Sequence, residues 1–195
     1  MVQCFLPWQA VGGLTREFSV GRRTPEDRAK LAETLSRAAR RLGPLLPHYK
    51  DHFINAFLAG VRDPEWLVRA ASLSALGDVC KELRFSLGPI VQEVFSVLNL
   101  AVVQDSSVEV RRAAVLVVTM LLQGLGGDAL KVLREVLREL YRGLRRLEAT
   151  DADPVVRLHA QLALQEVDAI MRRFLLPSAG LTKRIYVMDA PPPAL

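Results

Sequence analysis

The chain has 195 residues, of which half are hydrophobic and only 6% aromatic, a composition that suits one domain of helices packed on helices and argues against a second independent domain. Its 26 Lys and Arg against 21 Asp and Glu give a formal net charge of +5, a mild basic bias compatible with an acidic partner or an anionic membrane surface. Cys4 and Cys80 stand 76 positions apart outside any paired motif, which indicates reduced thiols and argues against a disulfide framework.

The first 23 residues are predicted to be irregular, and they end in Arg22 and Arg23. No positive charge precedes the short apolar patch between Met1 and Trp8, and no small-residue cleavage site follows it. A signal peptide is therefore not expected.

Apolar residues at spacings of three and four predict seven helices after this segment. The first begins at Thr24, where threonine can cap the helix and Pro25 fits its first turn, and it ends near Gly43. Connections of two to six residues predict that consecutive helices pack as antiparallel hairpins. The other six helices are predicted at 45–60, 65–83, 87–103, 107–123, 128–147 and 154–175.

The longest apolar stretch without charge runs from Ala113 to Gly127, directly after Arg111 and Arg112. It is shorter than the roughly 20 residues of a membrane span, so a helix buried on most sides is predicted, with a membrane segment as the alternative. The glycines at 124, 126 and 127 could suggest a phosphate-binding loop, but a helix precedes them and the required lysine is absent. A helix end followed by a turn is predicted there.

Three segments share a pattern in which an aspartate is followed, after four residues, by valine and arginine. A small residue follows three positions after the arginine, and a branched apolar residue follows seven positions after it. Successive arginines are 42 and 46 positions apart, and a period of about 40–47 residues with two helices per unit is typical of HEAT and armadillo arrays. The motif residues are Asp63, Val68 and Arg69, then Asp105, Val110 and Arg111, then Asp151, Val156 and Arg157; the small residues are Ser72, Ala114 and Ala160, and the branched ones Leu76, Val118 and Leu164.

Each position of this pattern has an expected structural role, which favours architecture over ligand binding. The aspartate can accept hydrogen bonds from free amides at the start of the second helix. The arginine can reach the acidic turn of the adjacent repeat, its valine neighbour faces the core, and the small residue lets helices approach closely. In the third unit Asp153 precedes Pro154 and is the better cap, so Asp151 is expected to serve only as a turn residue.

The sequence therefore predicts an all-α fold, a right-handed α-solenoid of about three and a half HEAT- or armadillo-like hairpins. The first helix resembles the second helix of an earlier repeat, so we expect further repeats N-terminal to it in a longer parent, or a short product of one. Residues 1–23 form the irregular segment, 24–176 the repeat domain and 177–195 a tail. In the tail, residues 183–188 could fold back over the final helices, and prolines 191–193 are expected to form polyproline II.

Several segments of the chain resemble the C-terminal HEAT-repeat region of the transport and Golgi organisation protein 6 homologues, a family related to a fungal RNA polymerase II assembly and nuclear-import factor. The resemblance covers about residues 24–188. It implies an α-solenoid that acts in protein secretion and Golgi organisation, or in assembly and nuclear delivery of RNA polymerase II, and it carries over no catalytic residue. The matching segments are DHFINAFL at 51–58, GVRDP at 60–64, VRRAA at 110–114 and LHAQLAL at 158–164, running on to Met171.

Basic residues recur at spacings of three and four on the predicted helix 128–147, opposite an apolar side. Glu135 and Glu139 can neutralise part of this charge. The plain interpretation is a solvated face, and the sharper one is a dock for an acidic protein segment or for anionic lipid headgroups. This basic stripe comprises Lys131, Arg134, Arg138, Arg142 and Arg145.

No pattern in the chain predicts an enzyme, a cofactor site or a metal site. His48 and His52 are four apart on a helix, as a metal site needs, but no third ligand accompanies them, and His159 is expected to be packed. The basic residues lack interleaved aromatic residues, which argues against nucleic acid. We expect a cytoplasmic scaffold that binds protein partners, with association with Golgi membranes and shuttling to the nucleus as alternatives.

Overall fold

The computed structural model describes residues 23–83 and 87–175, and within these ranges the chain folds into helices and turns without a strand. Cys4, the N-terminal segment and the C-terminal tail lie outside the described residues. Seven of the helices have 14 to 22 residues, and α6 is a single turn. The helices are α1 Pro25–Leu42, α2 Leu46–Gly60, α3 Trp66–Glu82, α4 Val91–Gln104, α5 Val108–Leu125, α6 Ala129–Val132, α7 Leu137–Thr150 and α8 Pro154–Leu175.

These helices form two layers. In one layer α1, α3, α5 and α8 pack on one another in chain order. In the other, α2, α4 and α7 each pack on the helix of the first layer that completes their hairpin, and α7 also packs on α4. Three hairpins and one single helix therefore stack side by side, which confirms the predicted α-solenoid with its three and a half units in the described residues.

Local sequence signals fix where the helices begin and end. The Thr24 side chain accepts a hydrogen bond from the Asp27 amide at 3.2 Å, and Pro25 occupies the first turn of α1. Gly43 and Gly126 each have φ of +50° immediately after α1 and α5, a backbone conformation that side chains with a Cβ rarely adopt. The predicted helix end and turn at the glycines near 126 are thus confirmed.

Helix α5 lies at the centre of the array, packed between α3, α4 and α8. Val108–Val132 is long and apolar enough, by length and composition alone, to cross a membrane. The core helix of a folded array has the same composition, and the apolar stretch lies mostly within α5. The side chains of α5 that are buried in the core are Val110, Ala114, Val115, Val117, Val118, Leu121 and Leu122.

The prediction of one helix over 128–147 is wrong, because residues 133–136 form turns between α6 and α7. The Leu133 amide still donates to the Ala129 carbonyl at 2.7 Å, and the Leu133 side chain is fully buried. The break lets α6 pack on α8 while α7 packs on both α4 and α8. Tertiary packing has therefore overridden an apolar periodicity that continues through the break.

Candidate partner-binding surface

Arginines of the first layer bind aspartates of the next unit in a repeated arrangement, which we call the Arg–Asp ladder. In each pair Nε and Nη2 of the arginine donate to the two carboxylate oxygens, and all six donor–acceptor distances lie between 2.7 and 3.1 Å. Such two-point pairing with a planar guanidinium fixes orientation as well as distance. The pairs are Arg28–Asp63, Arg69–Asp105 and Arg111–Asp151.

The remaining nitrogen of the ladder arginines bonds the backbone of their own turn. Nη1 of Arg69 donates to the carbonyls of Asp63 and Pro64, and Nη1 of Arg111 donates to the carbonyls of Asp105 and Ser106. Each guanidinium thus joins its own turn to the turn of the following unit. The expectation that the arginine reaches the adjacent acidic turn is confirmed.

Each ladder aspartate also closes its own turn, as the sequence predicted. Oδ1 of Asp63, Asp105 and Asp151 accepts a hydrogen bond from the amide two residues later, at 2.9 Å in every case. Asp151 is 8% exposed and pairs with Arg111. The expectation that Asp151 serves only as a turn residue is therefore wrong, since it belongs to the ladder like the other two.

The ladder shifts the pKa values of its members in opposite directions. Burial alone would raise the pKa of the Asp105 and Asp151 carboxyls, but hydrogen bonds from Arg69 and Arg111 and from backbone amides lower it overall. The hydrogen bonds to these carboxylates raise the pKa of Arg69 and Arg111. The pairs are therefore ionised at neutral pH, and mutual pairing holds them in that state.

A second cross-unit pair lies beside the ladder. Arg112 donates through Nε to Asp153 at 3.0 Å and also through Nη2, and Asp153 caps α8 by accepting from the Val156 amide at 2.9 Å. The hydrogen bonds from Arg112, together with those from backbone amides, lower the pKa of Asp153 to about 2. The sequence identified this cap but missed its pairing with Arg112.

Sequence reasoning also missed Arg28 as a ladder member. The other arginines follow an aspartate by six residues, and the residue six before Arg28 is Arg22. The spacing of 41 residues between Arg28 and Arg69 carries the repeat period, so the register of the array could have found Arg28 without its aspartate.

The core positions of the repeat motif are placed as predicted. Every motif valine, small residue and branched residue is at most 5% exposed, and these residues pack between neighbouring units. Ser72 differs from Ala114 and Ala160 because its buried hydroxyl has no hydrogen-bond partner in the described structure. These buried residues are Val68, Val110, Val156, Ser72, Ala114, Ala160, Leu76, Val118 and Leu164.

The basic stripe is exposed but interrupted. Lys131 belongs to α6 and Arg134 to the turn after it, whereas Arg138, Arg142 and Arg145 follow one another along α7. Exposed ion pairs engage part of the charge, with Lys131 bonded to Asp128, Arg142 to Glu139 and Arg145 to Glu148. Within the described ranges, Arg134 and Arg138 form no ion pair, so the free charge lies at the start of α7.

Two grooves flank α4 on the outer side of its layer. The groove towards α7 has a volume of about 350 Å³ and is lined by Leu100, Arg142 and Arg146 among others. The groove towards α2 has a volume of about 440 Å³ and shares Leu100, which is 54% exposed, with the first. The groove towards α7 thus places exposed Leu100 beside two arginines and Glu139, and an acidic amphipathic helix could contact the leucine and pair with the arginines.

The histidines and the cysteine considered as candidate functional residues do not form a common site in the described structure. His48 and His52 are exposed on α2, and no group of three or more His, Cys, Asp or Glu side chains in the described residues could hold a metal. His159 is half-buried. Cys80 is a free, fully buried thiol whose pKa burial raises to about 12, which makes it a poor nucleophile.

Comparison with known proteins agrees with this architecture. A family model described as "HEAT repeat" matches residues 53–83, which span the end of one helix, the ladder turn at Asp63 and α3. The described chain is a HEAT-repeat α-solenoid. A second family model, "Required for nuclear transport of RNA pol II C-terminus 2", matches residues 136–169, which comprise α7 and most of α8.

The chain is also similar to "Transport and Golgi organization protein 6" of Drosophila melanogaster, with 30% identity over 165 residues. The match covers 83% of this chain and 18% of that protein, so the chain spans less than a fifth of its relative's length. The chain is therefore a homologue of part of that protein, and the resemblance predicted from the sequence is confirmed.

Proposed function

We propose that this chain is a non-catalytic scaffold that holds an acidic segment of a partner protein against α7 and the groove between α4 and α7. The observation that carries the proposal is the junction of exposed Leu100 with Arg142 and Arg146 in that groove. Repeat arrays bind partners over extended surfaces with many contacts. The residues considered as catalytic or metal-binding candidates are dispersed, which favours binding over chemistry.

The arginines of α7 can leave their ion pairs within the chain and bind carboxylates of a partner instead. The Arg142–Glu139 pair is exposed at both ends, and such surface pairs contribute little stability. Arg138, one turn earlier, has no ion pair with the described residues. An acidic helix can therefore approach this face without breaking a strongly bound pair.

The process that this scaffold serves is proposed to be protein secretion and Golgi organisation, on the strength of the similarity to part of a protein with that name. Assembly and nuclear import of RNA polymerase II is the second candidate. Its support is that the nuclear-transport family model matches α7, most of α8 and the turn between them. This part of the chain contains three residues of the basic stripe and the last aspartate of the ladder, Asp151.

The test is charge reversal on α7. We expect Arg138→Glu with Arg142→Glu to abolish recovery of the main partners in affinity purification followed by mass spectrometry. The matched control is Arg37→Glu with Arg41→Glu, two exposed arginines on α1 with the same spacing. Secretory coat and tether proteins among the lost partners support the first process and polymerase subunits the second; unchanged recovery of every partner overturns the proposed surface.

A membrane surface is the alternative ligand for the same arginines, and flotation separates it. The chain with vesicles of phosphatidylcholine and phosphatidylserine is expected to stay with the soluble fraction if its ligand is a protein. Flotation that depends on phosphatidylserine and is lost on reversal of Arg138 and Arg142 would replace the protein ligand with an anionic membrane.

A further inference from the structure

A cleft opens at the edge that carries the Arg–Asp ladder, between the beginnings of α3 and α5, and we call it the Trp66 cleft. It has a volume of about 450 Å³. Trp66 lies in its wall and is 46% exposed, which is typical of a binding surface, where tryptophan is enriched. The cleft is lined by Glu65, Trp66 and Arg69 on the side of α3 and by Ser107, Val108 and Glu109 on the side of α5.

The charge that remains unpaired in the Trp66 cleft is negative. Both oxygens of Asp105 bind the Arg69 guanidinium, which neutralises it. The exposed Glu65 carboxylate forms no hydrogen bond or ion pair with any residue that the structure describes. Glu109 is exposed as well, and hydrogen bonds from its own amide and from the Ser107 hydroxyl lower its pKa, so it is ionised at neutral pH. Two carboxylates beside an indole ring are a suitable setting for a cation.

The next interval of the array indicates which cation fits. Ser107 and Asp153 each stand two residues after a ladder aspartate, and Asp153 binds the guanidinium of Arg112. Arg112 directly follows a ladder arginine, and the residue in the same position of α3 is Ala70. The interval between α3 and α5 therefore has neither that arginine nor that aspartate. The place that a guanidinium fills between α5 and α8 has no arginine from the equivalent position here.

The helix dipole explains the glutamates of the Trp66 cleft but not its tryptophan. Acidic residues in a first turn interact favourably with the positive end of the helix, and Glu26 on α1 is another example. A dipole gives no reason for an exposed aromatic side chain. The three other helices of this layer have proline or valine where α3 has Trp66, namely Pro25, Val108 and Pro154.

We propose that the Trp66 cleft binds an arginine side chain of a partner protein, with the guanidinium on the face of Trp66 and its nitrogens bonded to Glu65 and Glu109. A guanidinium is planar, so it can stack on an indole ring while its N–H groups donate to carboxylates at its edge. A lysine ammonium has no plane to stack. The cleft lies apart from the groove between α4 and α7 and takes a group of opposite charge, so it adds a second contact to the proposed scaffold.

Titration of the full chain with N-acetyl-argininamide tests the proposal. Every protein carries Trp8→Phe, so that Trp66 is the one tryptophan left of the two in the chain. We expect a saturable change in Trp66 fluorescence with this probe and none with N-acetyl-citrullinamide, which has nearly the same shape without the charge. The net charge of +5 repels cations in general, so saturable binding of the arginine probe indicates a specific site.

Substitutions of the two glutamates separate the Trp66 cleft from other acidic positions. Glu65→Gln and Glu109→Gln should each weaken binding about tenfold, because each removes a hydrogen bond between charged groups. The matched control is Glu26→Gln, in the first turn of α1, which should leave the affinity unchanged. Circular dichroism confirms that each variant is folded.

A further variant fills the Trp66 cleft from within the chain. Ala70→Arg with Ser107→Asp gives this interval the same pair that Arg112 and Asp153 form in the next one. The new guanidinium lies beside position 107, which lines the cleft, so binding of N-acetyl-argininamide should be abolished. Retained affinity in this folded variant would contradict the equivalence of the two intervals.

Other outcomes would also overturn the proposal. These are a response of the unsubstituted chain that does not saturate, equal affinities for the arginine and citrulline probes, and equal affinities in the glutamate variants and their control. Tighter binding of free arginine than of N-acetyl-argininamide would assign the cleft to the amino acid. A dimer in sedimentation that the probe dissociates would assign the arginine to a second copy of the chain.

Discussion

Arg111 joins two turns of the array at once, because it binds both oxygens of Asp151 while Nη1 bonds the carbonyls of Asp105 and Ser106. The side chain of Asp151 is 3% exposed and that of Arg111 is 14% exposed. The pair is therefore shielded from solvent, and loss of one partner leaves the other charge poorly solvated.

Replacement of Asp151 by asparagine is expected to lower the free energy of unfolding by about 2–3 kcal/mol, because the amide cannot accept two charge-assisted hydrogen bonds. Urea unfolding followed by circular dichroism measures the change. Asp128→Asn, which breaks the exposed pair with Lys131, is the control and should change the value by less than about 0.5 kcal/mol. Equal effects of the two substitutions would contradict a structural role of the ladder.

Acid is expected to destabilise the array through the same aspartates. Asp105, Asp151 and Asp153 have lowered pKa values in the folded chain, about 2 for Asp153 against its ordinary 3.8. The folded state thus binds these protons more weakly than the unfolded state, so their stabilisation is complete above the ordinary pKa and is lost as pH falls through the folded pKa. We predict a urea midpoint that falls most steeply between about pH 4 and pH 2.

The contribution of Asp153 to that fall can be isolated with Arg112→Gln, which removes the donor that chiefly lowers its pKa. In this variant the midpoint should fall less between pH 4 and pH 2 than in the unsubstituted chain. An identical pH profile in both proteins would show that the Arg112–Asp153 pair is not linked to stability.

Ser72→Ala is expected to stabilise the protein by about 1 kcal/mol. The buried Ser72 hydroxyl has no hydrogen-bond partner in the described structure, which carries a desolvation cost, and alanine has the higher helix propensity. Ala114 and Ala160 already occupy the equivalent positions. Ser74→Ala, at an exposed site two residues later, controls for helix propensity, and a gain no larger than that of the control would contradict the explanation.

Gly77 marks a close approach of α3 and α5. A Cβ at this position would lie 2.8 Å from a Val117 methyl carbon, and valine in a helix has little rotamer freedom. Gly77→Ala should therefore destabilise the protein by about 1–3 kcal/mol through overpacking, although alanine is ordinarily the better helix residue. Thermal unfolding measures this, and Gly77→Ala with Val117→Ala should be more stable than the sum of the single effects predicts.

The sequence alone predicted most of the array because its local signals agree with its packing. Caps, glycine stops and apolar spacing placed the main helices, and the repeated spacing of aspartate and arginine predicted that each arginine reaches the acidic turn of the adjacent unit. The sequence did not predict the break in the helix at Leu133, because apolar residues continue at helical spacing through it. The break is required only by tertiary contacts, those of α6 with α8 and of α7 with α4. The sequence did not predict Arg28 as a member of the ladder, because its own unit lacks the aspartate that defined the motif.

The two-point bonds of the ladder place a constraint of fixed length along the edge where each hairpin turns from one layer to the other. Neighbouring hairpins held in this way change their relative position by pivoting about that edge more readily than by sliding along it. A molecule bound in the groove between α4 and α7 would accordingly increase the angle between these two hairpins and so alter the curvature of the array.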